Sequence, residues 1–178
     1  MSIGFKIKEK MSGHDNTGQK FEFNVTWGTS DIKKRLKRQI KALFPPRPDL
    51  TDEEAGPLVF SLEGDVTFKG GTYPCSGHLV IDYFDTHTIT YIFKFRRKVL
   101  GGQYNEYEYS AYEDLLYEDL LYVGEKVNIK PWNLLTSHTT CFGTVTREKN
   151  DELIARTLTF FKFRTVPKFL TSIRLKRF

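Results

Sequence analysis

A chain of 178 residues is long enough for one domain that buries about 70% of its unfolded surface, and aromatic residues, at 15% of the sequence, carry much of what is buried. No apolar run approaches the roughly 18 residues that a membrane-spanning helix needs, and MSIGFKIKEKMSG at the N-terminus lacks the apolar stretch of a signal peptide. Two cysteines without an export signal imply free thiols in a reducing, cytoplasmic setting.

The net charge of +5 is segregated along the chain. Residues 31–44 hold six bases against one acid, and residues 162–178 hold six bases and no acid, so the remainder is acidic. Much of that acidity lies in residues 103–125, which carry seven acids and six of the nine tyrosines. Such segments either pair within the molecule or face different partners.

In chain order, Phe21, Phe23, Val25 and Trp27 alternate with Glu22, Asn24 and Thr26, the two-residue period of a half-buried strand. Residues 31–44, DIKKRLKRQIKALF, break that period. Ile32, Leu36, Ile40 and Leu43 form one helical stripe, Ser30 or Asp31 caps the start and Pro45-Pro46 stops it, which predicts an amphipathic basic helix. Strand periodicity resumes through Leu58, Phe60, Leu62, Val66 and Phe68 and turns at Gly70-Gly71. Residues 77–96 read as a hairpin about Asp85-Thr86-His87.

The tandem YEDLL-YEDLL at 112–121 has a five-residue period, which sends corresponding residues of the two copies to opposite faces of a straight strand. A short helix or bulged insertion is predicted there, with a strand resuming near Tyr122. Residues 134–145 form a strand with Thr136, His138, Thr140 and Thr144 on one face and Ser137, Thr139 and Cys141 on the other, and either face can be the interior. After a last strand near Leu158 and Phe160, Val166, Phe169, Leu170 and Ile173 predict a short C-terminal helix. The two basic segments either cover the ends of the fold or dock on an anionic membrane surface. No specific nucleic-acid partner is expected, because the bases are not interleaved with stacking aromatics.

Many short antiparallel strands without alternating helices predict an all-β fold, an antiparallel barrel of lipocalin or calycin type in a single domain over 1–178. The sequence has no dinucleotide or phosphate-loop fingerprint and no zinc-protease motif, so no cofactor is assigned. Cys75 with His78, and His138 with Cys141, have zinc-ligand chemistry, but positions three apart lie on opposite faces of a strand, so no metal is assigned either. A barrel of about eight strands holds one small ligand between aromatic walls and a few polar groups. His138, Thr140, Thr136, Lys126 and Glu9 are the candidate polar contacts, with Trp132, Tyr91 and Trp27 as candidate aromatic ones.

Several ordered groups resemble a known domain: Glu9-x-Met11-x-Gly13, Gly64-x-Val66, Gly77, Tyr91-x-Phe93-x-Phe95, Gly124-x-Lys126 and Trp132 followed by Thr139-Thr140. Over residues 5–161 they are similar to the accessory β-domain of bacterial glucose–methanol–choline flavoproteins related to cholesterol oxidases. The flavin of those proteins belongs to another domain, so the resemblance implies a lipid or sterol context without flavin chemistry. The Tyr- and Glu-rich insertion at 103–121 departs from that pattern. The leading expectation is noncatalytic binding of a hydrophobic small molecule, lipid or sterol-like. A cofactor-independent cyclase, isomerase or hydrolase using Glu9, His138 or Lys126, and a protein-interaction module recognising a basic partner, are the alternatives.

Overall fold

A computed structural model describes residues 3–29, 57–82, 85–100, 115–127, 140–161 and 174–177. The strands are β1 (Ile3–Asp15), β2 (Lys20–Thr29), β3 (Leu58–Phe68), β4 (Gly71–Asp82), β5 (Thr88–Leu100), β6 (Leu115–Lys126), β7 (Thr140–Arg147), β8 (Glu152–Phe160) and β9 (Arg174–Arg177). Strands β2 to β8 follow in sequence order, each antiparallel to the next, and β1 pairs with both β8 and β2. The result is a closed eight-stranded up-and-down barrel. Strand β9 is a short addition against the first residues of β1, from Ile3↔Arg177 to Lys6↔Arg174.

The predicted helix at 31–44 and the helical spacing at 166–173 lie outside the described residues. Past them, Arg174–Arg177 form a strand. The YEDLL expectation is corrected. Residues 115–126 form one strand, paired with β5 from Leu100↔Leu115 to Ile89↔Lys126 without a break. Each copy ends in a leucine doublet, so a five-residue shift still supplies one leucine to each face. Leu120 is fully buried while Leu121 is half-buried on the other face. The acids of the second copy pair with neighbouring strands: Asp119 with Arg96 at 2.7 Å on the outer face, and Glu118 with Arg97 at 3.6 Å and with Arg147.

Alternation assigns one face of every strand to the interior. Phe21, Phe23, Phe68, Tyr91, Phe93 and Tyr122 are fully buried there. Their rings form a continuous cluster, with Phe23 5.1 Å from Tyr91 and Phe93 4.7 Å from Tyr122. Edge and tilted arrangements at these distances are favourable beyond the area they bury. Between Phe95 and Tyr91, strand β5 contributes three rings to one inner face, which is why the 15% aromatic content suffices for a core.

Tyr122 fits because two strands yield to it. A Cβ on Gly124 would lie 2.3 Å from the Tyr122 hydroxyl oxygen, and one on Gly143 would lie 2.5 Å from the same ring. Gly124 and Gly143 are direct partners across β6 and β7, so together they form a notch for the phenol. Replacing Gly124 with Ala is expected to destabilise the fold by about 1–3 kcal/mol through overpacking. Urea denaturation of Gly124→Ala, Tyr122→Leu and the double variant checks this: the double variant should lose much less than the sum of the singles, and additive losses would contradict the notch.

Candidate functional site

The even-numbered strands all end at the same rim of the barrel, where β1 begins. The connections 30–57, 83–87 and 128–139 leave from this rim, and the chain also departs here after Phe161. The opposite rim carries the tight turns at 16–19, 69–70 and 148–151, together with the β5–β6 connection. Inner positions near the first rim belong to Ile81, Ile89, Trp27 and Phe161, with Glu9, Tyr91 and Lys126 among them.

Glu9 and Lys126 make an ion pair inside the barrel, with side chains only 7% and 3% exposed. Oε1 of Glu9 accepts hydrogen bonds from Lys126 Nζ and from the Tyr91 hydroxyl, the latter at 2.8 Å, and Oε2 accepts one from Trp27 Nε1 at 3.2 Å. Three donors thus satisfy the buried carboxylate. The Lys126 ammonium also lies 5.1 Å from the Tyr91 ring centroid and 5.9 Å from that of Phe161, within cation–π range. Burial, with the Glu9 charge next in importance, pushes the Tyr91 phenol well above its ordinary range, so it is a hydrogen-bond donor throughout the neutral range.

Beside this pair the inner wall stays polar. Cys141 is fully buried, and the Tyr122 hydroxyl lies 3.6 Å from its Sγ. Burial pushes the Cys141 thiol up to about 11 even though the Lys126 charge opposes the shift. Thr157 and Thr159 face the same interior, and their hydroxyls have no hydrogen-bond partner of good geometry among the described residues. The polar seam therefore runs along β6, β7, β8 and β1, opposite the aromatic wall of β2 to β5.

Of the sequence candidates, Glu9, Trp27, Tyr91 and Lys126 are brought together. Thr140 is not: Cys141 points inward, so Thr140 and the 57%-exposed Phe142 are on the outer face. Trp132, Thr136 and His138 lie outside the described residues, in the connection that starts one residue after Lys126 and Val127 and returns at Thr140. Cys75 is buried and His78 exposed, on opposite faces of β4, and both cysteines are free. No cluster with metal-ligand character occurs among the described residues. Phe161 and Cys141 are the site neighbours that sequence reading did not select. Inward Val145 sets the parity that puts Cys141 inside, whereas nothing local marks Phe161.

A concavity of about 630 Å³ lies on the outer face of β1 to β4, where Lys6, Thr26, Ser61, Glu63, Ser76 and His78 surround Gly28 and Gly77. Trp27 and Leu62 also line it. No family model, curated protein or solved structure matches the chain.

Two measurements follow from this geometry. Removing one member of a buried pair strands the other charge, so Glu9→Leu and Lys126→Met are each expected to cost about 3–5 kcal/mol, while the double variant is expected to be near neutral or more stable. Urea unfolding of the three variants reads this coupling. The second concerns pH. Burial holds the Cys75 thiol up at about 12 and the Cys141 thiol at about 11, against 9.0 for an unperturbed thiol, and holds Tyr91 and Tyr122 above the ordinary phenol value. The unfolded chain then releases these protons first. Their contribution to stability is complete below pH 9 and is lost as pH rises through the folded-state values, so the urea midpoint is expected to fall steadily above pH 9.

Proposed function

We propose that the chain binds a hydrophobic small molecule, lipid or sterol-like, as a lipocalin-like carrier, with the polar end of the ligand at Glu9 and Lys126. The observation that carries this reading is the buried ion pair at the rim from which the long connections leave. A barrel core does not require one: well-packed apolar residues of similar volume usually serve stability as well or better. A charged pair ringed by Trp27, Tyr91 and Phe161 is instead the pattern of a ligand pocket, with apolar walls and a few placed polar groups.

Lys126 has three N–H donors, and Glu9 accepts one of them; among the described residues this leaves donor capacity for a ligand oxygen. Residues 31–44 and 162–178, the two basic segments, both continue from this rim. That topology supports loading from an anionic membrane surface, where each Lys or Arg contributes about 1 kcal/mol of attraction. The reading adopts the lipid context that the accessory-domain resemblance implies. Glu9 and Tyr91 also present an acceptor and a donor side by side, which is the observation that favours a cofactor-independent acid–base enzyme as the second reading.

Titration with 1-decanol followed by tryptophan fluorescence tests the reading. Saturable binding is expected to change the Trp27 signal, and the Glu9→Leu/Lys126→Met double variant is expected to lose at least about tenfold in affinity, the equivalent of one charge-assisted hydrogen bond. Unchanged affinity in that double variant, or no saturable binding of decanol or of a lipid extract, would overturn it. Turnover of a bound lipid, abolished by Glu9→Gln with binding retained, would favour the enzyme.

A further inference from the structure

We propose that Lys126 captures apolar aldehydes covalently, as a protonated imine held against Glu9; this rests on the ligand-site reading above and specifies its ligand class. The argument starts from charge. Glu9 and Lys126 are the charged side chains at interior positions of this rim among the described residues, and they balance one another. A carboxylate ligand would leave one buried negative charge uncompensated, and an ammonium ligand one positive charge, each costing several kcal/mol as an unpaired ion. A neutral ligand preserves the balance.

Among neutral ligands, an aldehyde uses what the geometry supplies. Lys126 becomes nucleophilic when it gives up a proton, and Glu9 Oε1 already accepts a hydrogen bond from it. The proton moves along that bond, the free amine attacks the carbonyl carbon, and a proton passes from the attacking nitrogen to the oxygen to give the neutral carbinolamine. Glu9 then returns its proton to the departing hydroxyl, water leaves, and the C=N bond forms. The sum is aldehyde plus ammonium giving iminium plus water, so atoms and charge balance and no oxidant or reductant is required. The iminium keeps the positive charge beside Glu9 and over the Tyr91 and Phe161 rings, and Ile81 and Ile89 are the aliphatic side chains of the same rim. Addition of water reverses the reaction and releases the ligand.

The test incubates the intact chain with decanal at neutral pH in the presence of cyanoborohydride, which reduces the imine to a stable secondary amine. Intact mass and peptide mapping then locate the adduct. A single decyl adduct on Lys126 is expected, formed at least about tenfold faster than on surface lysines because the pocket holds aldehyde against amine. Lys126→Arg keeps the charge but forms no imine and is expected to lose the adduct, and Glu9→Gln is expected to slow it while surface labelling is unchanged. If Lys126→Arg fails to fold, excess 1-decanol is expected to protect Lys126 in the native chain. Labelling spread evenly over surface lysines overturns the proposal. Reversible decanal binding read at Trp27 without a trapped Lys126 overturns the covalent step and leaves the carrier reading standing, whereas absence of binding overturns both.

Discussion

Eight strands enclose an interior that side chains fill or that holds one small ligand, so every residue of the barrel is committed to one face or the other. The two-residue period makes that commitment rigid: a one-residue slip would exchange the whole inner set for the outer one. The registers around the sheet agree on a single solution, in which Glu9, Val25, Gly64, Cys75, Phe95 and Leu120 follow one another as inner-face positions from strand to strand. Both the aromatic core and the ion pair follow from this closure. The core is one-sided: rings from β2 to β5 fill the interior toward β6, and Tyr122 completes them by lying in the notch at Gly124 and Gly143.

The other wall carries what a carrier or an enzyme would need. Between Ser12↔Phe160 and Lys6↔Arg174, the β1 ladder passes from β8 to β9, and Glu9 lies in that interval. The carboxylate is held from three directions by Tyr91, Trp27 and Lys126, so its orientation is fixed before any ligand arrives. Preorganisation of this kind reduces the ordering cost of binding. It also separates the site from the far rim, where Arg97, Glu118 and Arg147 form a second charged group with 17%, 12% and 36% side-chain exposure. That group is more open to solvent, and Glu152, which also pairs with Arg147, balances its charges, so it reads as a polar cap on the aromatic core.

Much of this was legible in the sequence. Strand periodicity located β2 to β5 with their inner faces, because aromatic and branched residues alternate there with polar ones. Glu9, Tyr91, Lys126 and Trp27 were selectable as polar or aromatic candidates, but their meeting is a property of closure: Glu9 and Lys126 are 117 residues apart and share an oxygen contact because β1, β5 and β6 line one interior. The YEDLL repeat misled because parity was applied to the repeat length and the leucine doublet was overlooked. For β7, apolar residues occur on both faces, Phe142 outside and Val145 inside, so hydrophobicity alone left the orientation of the strand open, and the candidate Thr140 lies on the outer face. For β8 the signal was inverted: hydroxyl-bearing Thr157 and Thr159 face inward while Phe160 is 40% exposed.

The central claim is that the buried Glu9–Lys126 pair, and not the polar groove on the outside of the barrel, receives the ligand. Side-chain NMR of the chain during titration with 1-decanol measures this directly. The account predicts that the largest shifts fall on the Lys126 ε-methylene, the Trp27 indole N–H and the Phe161 ring. Shifts concentrated instead on Lys6, Glu63 and His78, with the Lys126 ε-methylene and the Phe161 ring unmoved, would place the ligand on the outer face and contradict it.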